Sequence, residues 1–484
     1  MKQSRKWWLA WVFMMTLGWS IRFLALDVLP LFIDEAVLVG WSSSVLQGNP
    51  LAFGSEGRYL TPWVTALFTP QQASVWVIRA VSLLSTMVGW STLVALTRRL
   101  GGRRAALWSL SLAIFFPVLA WHERIAVADN TLSVMILIWI WFLIRAWEAP
   151  NFKPVMHIEA GLIFILSFIT KSSALLLTPL PICVAIILGR WPWRMRWQAL
   201  AWHYSVVSAL CLPFLIFLRW RGVDFLGRAT YGMASDFFNF DRIIQQASFF
   251  VEHWLGYWHW WLSLIALVFV ILAWHVDCRR VAVLSLASVA WIAAHLLIGD
   301  FLYFRYFLPA FFPFLGVVGL GLEVITRQSK LLAVISSTVL IGFGALFIQQ
   351  AAFNLEDLPL PHLDRLQYLT ADSSGMAVPS TAERWLRLAK PEARLLGLLP
   401  QCEALRLYLT VQDRQRLTCP NLLSDSARPR DFGLLLAEAD WLVVEQPYPL
   451  RLPNAWEHNW ELVAVEYRPG EKSGLALYRR LVVS

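Results

Sequence analysis

Acidic, basic and aromatic side chains occupy the short polar segments between the long apolar runs of this sequence. Asp34 and Glu35 are adjacent and follow the first apolar run. Charged groups are costly in or beside a lipid bilayer, so ionisable residues kept there are candidates for a functional site. The further candidates, in or beside later polar segments, are Glu56, Arg58, His122, Glu123, Arg124, Asp129, Lys171, Asp300, Arg305 and Tyr306.

This combination of carboxylates and cations suits chemistry on a lipid-linked phosphate. If a sugar is joined through phosphate to a polyprenol, the leaving group is already a stable phosphate anion and needs no general acid. The reaction then requires cations that bind the phosphate and one carboxylate that takes the proton of the acceptor. One carboxylate base with several Lys and Arg side chains meets both requirements.

The elements that position these residues are predicted to be membrane helices. Of the 484 residues, 58% are hydrophobic and only 15% are charged. Apolar runs of about 20 residues recur, which is the length that spans a bilayer. Because the runs are continuous rather than alternating, they predict a helical bundle and exclude a β-barrel. We expect helices at residues 7–26, 74–97, 105–121, 131–147, 156–170, 172–189, 200–218, 254–275, 281–298, 305–325 and 331–350.

The net charge of +9 reflects topology rather than binding to nucleic acid. Basic residues gather in every second gap between apolar runs, as between 98 and 104 and between 190 and 196. This is the positive-inside pattern, and it predicts a cytoplasmic N-terminus and eleven crossings of the plasma or inner membrane. The first run resembles a signal peptide, but no small-residue cleavage site follows it, so we expect a retained helix. The candidate residues then lie on the outer side.

From about residue 351 the composition changes to that of a small α/β domain, predicted to be extracytoplasmic and to extend to residue 484. We expect helices in STAERWLRLAK and CEALRLYLTVQ, and strands in ARLLGLL, DWLVVEQ, ELVAVEYR and GLALYRRL. Cys402 and Cys419 both fall in this domain and are candidates for a disulfide in an oxidising compartment. Residues 1–350 are predicted to form the transmembrane catalytic domain, with 27–72 as its first outer loop.

Five motifs, in this order, carry a family resemblance. They are IRFLALDVLPLFIDEA at 21–36, VIRAVSLLSTMVGW at 77–90 followed by RRLGGRRAAL at 98–107, ERIAVADN at 123–130, FITKSSALLLTPLPI at 168–182 and FRYFLPAFFPF at 304–314. Together they resemble the GT-C glycosyltransferases that use polyprenyl-phosphate donors, most closely the protein O-mannosyltransferases and aminoarabinose transferases. The resemblance covers about residues 5 to 325. Two features depart from it: EGRYLTPWV replaces a Glu-Lys-Pro-Pro segment, and no gap is long enough for a β-trefoil domain.

The resemblance implies a GT-C fold and a set of roles. Asp34 would be the catalytic base, and Glu35 would orient it, hold the acceptor or contact Arg124. Arg124, Lys171, Arg305 and Tyr306 would bind the donor phosphate. Asp129, Glu56, Arg58 and His122 would support the site or the acceptor.

We therefore expect an inverting glycosyltransferase that moves a sugar from a polyprenyl-phosphate-linked donor to a protein, lipid or glycan acceptor. The sequence demands no metal, although Glu56 and His122 are the residues that would join a divalent site. The competing functions are a lipid or polysaccharide transporter and a non-catalytic membrane scaffold. Structural roles for the same residues stay open. Asp34 and Glu35 could form a helix N-terminus, and Arg124 and Asp129 a solvated loop pair. Lys171 could be a topological anchor between two helices, and Arg305 and Tyr306 interfacial anchors.

Overall fold

A computed structural model defines the fold. It describes residues 2–51, 58–68, 74–223, 239–299, 302–399, 402–420, 432–446, 459–470 and 472–481. Two of the candidate residues, Glu56 and Asp300, lie outside these ranges. The chain divides into two compact units, each built from several segments. The first unit comprises Met1–Ala25, Pro50–Val64 and Ala80–Asn354, and the second comprises Leu26–Asn49, Thr65–Arg79 and Leu355–Ser484.

The described helices are α1 (Lys2–Phe23), α2 (Ile33–Leu46), α3 (Leu60–Phe68), α4 (Val75–Gly101), α5 (Arg103–Phe115), α6 (Pro117–His122), α7 (Ala128–Glu148), α8 (Pro154–Thr170), α9 (Leu180–Leu188), α10 (Trp193–Trp220), α11 (Phe240–Tyr257), α12 (Trp260–Ala273), α13 (Cys278–Ile298), α14 (Leu308–Gln328), α15 (Lys330–Phe353), α16 (His362–Arg365), α17 (Val378–Leu388), α18 (Cys402–Leu407), α19 (Val411–Arg414) and α20 (Phe432–Glu438). The long helices of the first unit fall on the apolar runs of the sequence, whereas α2 and α3 lie in the predicted first outer loop, 27–72.

The first unit is a polytopic bundle of apolar helices. Six helices of the described residues are long and apolar enough to cross a bilayer, or seven if the bent pair α11 and α12 is one span. The predicted total of eleven crossings stays a prediction. Helix α14 is buried from Leu308 to Glu323 except at Phe314, as expected for a helix inside a bundle.

Three predicted helices are interrupted in the structure. The run 105–121 divides into α5 and α6 at Phe116, an extended residue that precedes Pro117. The run 254–275 was expected to be continuous, but α11 and α12 meet at an angle of 98°. Trp258 leaves helical geometry there, and its buried ring packs 4.9 Å from that of Phe116, so tertiary packing overrides helix propensity. The run 172–189 begins with a 3₁₀ turn over Ser172–Leu177 and becomes α-helical at Leu180, after Pro179.

The second unit contains a five-stranded sheet. Its strands are β1 (Leu395–Leu398), β2 (Leu417–Thr418), β3 (Trp441–Gln446), β4 (Trp460–Tyr467) and β5 (Gly474–Arg480). The order is β2-β1-β3-β5-β4, with β1 parallel to β2 and β3, and β5 antiparallel to β3 and β4. The four predicted strands are observed. The predicted helix 402–412 is two short helices, because Thr410 caps a new helix at Val411.

The second unit also includes two segments from early in the chain. Segments 26–49 and 65–79 group with the C-terminal elements, while the predicted domains 1–350 and 351–484 stay a prediction. Three described contacts explain this grouping: Ile33 N–H donates to Ser373 at 3.0 Å, Leu31 N–H donates to the Tyr408 hydroxyl at 3.4 Å, and the ring of Phe32 packs 5.0 Å from that of Tyr368. Hydrophobic periodicity along the chain contains no signal for contacts of this sequence separation.

A disulfide joins Cys402 and Cys419 in the second unit. The other three cysteines, Cys183, Cys211 and Cys278, are free thiols. An alkylating reagent applied to the denatured, unreduced protein is therefore expected to modify three of the five cysteines, and all five after reduction. Intact-mass spectrometry of the protein from its native membrane counts the adducts. Five adducts without reductant would contradict the bond.

Candidate active site

Asp34 and Glu35 lie in the first turn of α2, in the second unit. Phe32 is the N-cap in extended geometry, and its N–H donates to the Glu35 carboxylate at 3.3 Å. Acidic residues are favoured at this end of a helix because unpaired N–H groups and the helix dipole attract negative charge. The two side chains differ in environment: Glu35 is wholly buried, whereas Asp34 is half-buried.

Glu35 belongs to a buried ion pair with Arg79. The two carboxylate oxygens accept from Nε and Nη2 of Arg79 at 2.8 and 2.6 Å. The remaining guanidinium hydrogens reach the carbonyl oxygens of Leu26 and Leu29, both at 2.6 Å, and of Pro30 at 3.3 Å. Arg79 thereby fixes the segment that leads into α2. Of the roles foreseen for Glu35, the described contacts favour holding the turn that carries Asp34.

A second polar cluster lies in the first unit and is centred on Asp129, at the start of α7. Lys171 Nζ donates to Oδ1 of Asp129 at 2.5 Å, and Arg305 Nε lies 3.7 Å from its Oδ2. Arg58 acts electrostatically on both Asp129 and Lys171. Three cations therefore surround one described carboxylate, which leaves an excess of positive charge that suits an anionic ligand.

Aromatic rings hold the cations of this cluster in place. Lys171 Nζ lies 3.9 Å from the ring centre of Tyr306, and the Arg305 guanidinium lies 4.7 Å from that of Tyr303. Lys171 is the extended residue that ends α8, and Arg305 stands in the 3₁₀ turn Phe304–Phe307 before α14. The Trp291 indole N–H donates to the Tyr306 carbonyl at 2.7 Å and anchors that turn.

Burial changes the ionisation of two side chains in the cluster. It lowers the pKa of Lys171 to about 8, against the opposing effect of Asp129. It also lowers the pKa of His122 to about 3, and the neighbouring positive charge of Arg305 adds to this effect. His122 is thus a neutral imidazole at physiological pH. It supports the cluster without adding charge.

Arg124 has contacts that differ from the predicted phosphate binding. Its guanidinium donates to the carbonyl oxygens of Leu24, Ala25 and Ala351. Ala25 has a φ of 51°, a left-handed geometry that is unfavourable for a residue with a β-carbon. Arg124 satisfies carbonyls at this strained end of α1, so its described contacts favour a positioning role.

Two arginines that the sequence analysis did not include among the candidates, Arg22 and Arg79, are buried and ion-paired. Arg22 Nε donates to Glu123 at 2.8 Å, and the Trp90 indole N–H donates to the other carboxylate oxygen at 3.2 Å. The sequence contained one signal for these ion pairs: an arginine within an apolar membrane helix needs an acidic partner.

The structure thus gathers Arg58, His122, Asp129, Lys171, Arg305 and Tyr306 in the first unit, and it places Asp34 and Glu35 in the second. Among the residues with described positions, no group of three or more His, Cys, Asp or Glu side chains is arranged to hold a metal ion.

Comparison with known proteins establishes the architecture. The structure of ArnT from Cupriavidus metallidurans in the apo state superposes with a TM-score of 0.63 at 15% identity, over 98% of each chain. The same enzyme bound to undecaprenyl phosphate gives a TM-score of 0.62 at 14% identity, over 96% of this chain and 97% of that one. The chain has the GT-C fold. The expected resemblance is thereby confirmed.

Two further comparisons bear on the GT-C assignment. The oligosaccharyltransferase of Archaeoglobus fulgidus gives a TM-score of 0.51 at 10% identity, over 90% of this chain and 69% of that one. Residues 57–220 match the profile of the dolichyl-phosphate-mannose-protein mannosyltransferase family. The matched segment contains Arg58, His122, Arg124, Asp129 and Lys171. No protein in a set of curated sequences matches the chain.

Proposed function

We propose that this GT-C protein is an inverting glycosyltransferase of the cytoplasmic membrane. It takes a sugar from a polyprenyl-phosphate-linked donor and transfers it to an acceptor on the outer face. The observation that carries the proposal is the group of Arg58, Lys171 and Arg305 around Asp129, within a fold shared with ArnT.

In the proposed reaction, the cations bind the phosphate of the donor and the Asp34 carboxylate accepts the proton of the acceptor hydroxyl or amine. The acceptor atom forms a bond to the anomeric carbon as the bond from that carbon to the phosphate oxygen breaks. The electron pair of the broken bond stays on the polyprenyl phosphate, and Lys171 and Arg305 stabilise its negative charge. A single displacement of this kind inverts the anomeric centre.

The known relatives support the donor class. The superposed ArnT structure holds undecaprenyl phosphate, and the matched family is described by its dolichyl-phosphate-mannose donor. The disulfide between Cys402 and Cys419 supports an oxidising compartment for the second unit, in agreement with the outward orientation predicted from the basic gaps.

The test uses the full-length protein in proteoliposomes, a polyprenyl-phosphate-linked radiolabelled sugar, and a membrane extract of the source cells as acceptor. We expect the label to leave the lipid and polyprenyl phosphate to be released in equal amount. A label that crosses the bilayer while still attached to its lipid would overturn the proposal in favour of a transporter. A label that neither moves nor transfers would favour a scaffold.

Donor binding is expected to weaken as the pH rises through about 8, the pKa of Lys171. Below that pH Lys171 is a cation that contacts phosphate, and above it the charge is lost, whereas a sugar-phosphate diester keeps its charge throughout. The dissociation constant should rise about tenfold between pH 7 and 9.5. The dissociation constant is measured by titrating the protein with the donor at several pH values. The Lys171→Arg side chain stays charged over this pH range, so in that variant the dissociation constant should no longer rise near pH 8. The same rise in the variant would show that another group titrates.

A further inference from the structure

A groove runs along the lipid-facing side of helices α4 and α7 in the first unit. It has a volume of 340 Å³ and is lined by Met87, Val88, Ser91, Thr92, Ala95 and Trp141. Both helices are long and apolar enough to cross a bilayer. Val88 is 50% exposed, and exposed apolar side chains of a membrane helix face lipid. A hydrocarbon chain is the natural occupant of this groove.

Polar contacts join helices α4 and α7, which form the two sides of the groove, at both ends. The Asn130 side-chain amide donates to Ser82 at 2.7 Å and to Thr86 at 3.0 Å. At the other end Arg99 pairs with Glu148 at 2.7 Å. Helices α4 and α7 therefore run in the same direction, side by side. The lining residues of α4, 87 to 95, extend over about 12 Å of helix, enough for part of an acyl chain.

A cationic side chain, that of Arg145, lies at one end of this groove. The Arg145 guanidinium lies 5.7 Å from the ring centre of Trp141, which lines the groove, and 5.5 Å from that of Phe142. Arg99 approaches the same Trp141 ring at 5.9 Å, but it is ion-paired with Glu148, which Arg280 also contacts. Among the described residues Arg145 has no carboxylate within ion-pairing distance. Its charge is available to a phosphate in the lipid headgroup region.

The position of Arg145 separates this groove from the Asp129 cluster. Both residues belong to α7, and their separation of 16 positions corresponds to about 24 Å, close to the thickness of the bilayer core. The groove therefore ends at the membrane face opposite to the proposed donor phosphate site. That face carries the basic gaps, which predict the cytoplasmic leaflet, where anionic phospholipids attract Lys and Arg.

We propose that this groove is a binding site for an anionic phospholipid of the cytoplasmic leaflet. One acyl chain lies between α4 and α7 against Trp141, and the headgroup phosphate contacts Arg145. The binding site is separate from the transfer reaction, and it gives the protein a preference for an anionic membrane.

Native mass spectrometry of the full-length protein tests the proposal, with phosphatidylglycerol and phosphatidylcholine of identical acyl chains as probes. We expect the wild type to retain phosphatidylglycerol about fivefold better than phosphatidylcholine. Arg145→Gln should remove this preference, and Val88→Trp, which fills the groove without a change of charge, should reduce retention of both lipids. Arg190→Gln is the matched control, because it removes an exposed charge from another basic gap, and it should bind as the wild type does.

An unchanged preference in Arg145→Gln would overturn the proposal, as would unchanged retention in Val88→Trp. If Arg145→Gln does not fold, as judged by circular dichroism, Val88→Trp alone decides. Polyprenyl phosphate is a third probe. If Arg145→Gln weakens its retention as strongly as that of phosphatidylglycerol, the groove belongs to the donor and the phospholipid assignment is overturned.

Discussion

Replacing Asp34 by asparagine is expected to lower the rate of sugar transfer by about 10³-fold, the usual contribution of a general base. Asparagine has the shape of aspartate but cannot accept the acceptor proton. The side chain is half-buried in the first turn of α2, and the neighbouring Glu35 keeps its contacts with Arg79, so the fold should persist. Single-turnover transfer from a labelled donor measures the rate, and equilibrium binding of the donor should be unchanged.

Asp27→Asn is the control for Asp34. Asp27 is an exposed carboxylate of the same segment, seven residues earlier, and its loss should leave transfer intact. Full transfer activity in Asp34→Asn would reject the base assignment while leaving the fold and the cation cluster in place. A loss of donor binding in that variant would instead assign Asp34 a role in donor recognition.

Replacing Arg79 by methionine should lower the free energy of unfolding by about 3–5 kcal/mol, because it leaves the Glu35 carboxylate buried without its cation. The carbonyls of Leu26, Leu29 and Pro30 lose their donor as well. Unfolding in mixed micelles with increasing SDS measures the change. We also expect transfer to fall, because the turn that carries Asp34 is no longer held.

Two further variants distinguish a buried pair from a general effect of charge. Arg387→Gln breaks the exposed pair between Arg387 and Glu383 and should change stability by less than about 0.5 kcal/mol. Arg79→Met combined with Glu35→Met removes both charges and should recover part of the lost stability. A single Arg79→Met variant as stable as Arg387→Gln would show that the pair contributes nothing.

Most of the helical architecture could be predicted from the sequence. Continuous apolar runs indicate segments that are solvated by lipid, and basic gaps indicate the segments between them that are solvated by water. The bend between α11 and α12 could not be predicted. At the bend, Trp258 packs against Phe116, a residue more than 140 positions away. The helix propensity of the neighbouring residues does not predict that contact. The sheet was predictable because its strands alternate or are uniformly apolar over short stretches.

The candidate site was foreseen in part. Charged residues beside apolar runs identified Lys171, Arg305 and Asp129, and these three lie together in the structure. The residue type of each side chain determines its charge, whereas the fold determines which residue it pairs with. For that reason the sequence reasoning missed the contact of Glu35 with Arg79 and that of Arg124 with the end of α1.

The discontinuity of the second unit has a consequence for biosynthesis. Helix α2, with Asp34 and Glu35, is translated among the first residues, but its contacts Tyr368, Ser373 and Tyr408 are translated more than 300 residues later. Because protein chains begin to fold during synthesis, the membrane helices are inserted while α2 still lacks these contacts. The ribosome must therefore complete nearly the whole chain before the turn that carries the proposed base can adopt its final structure.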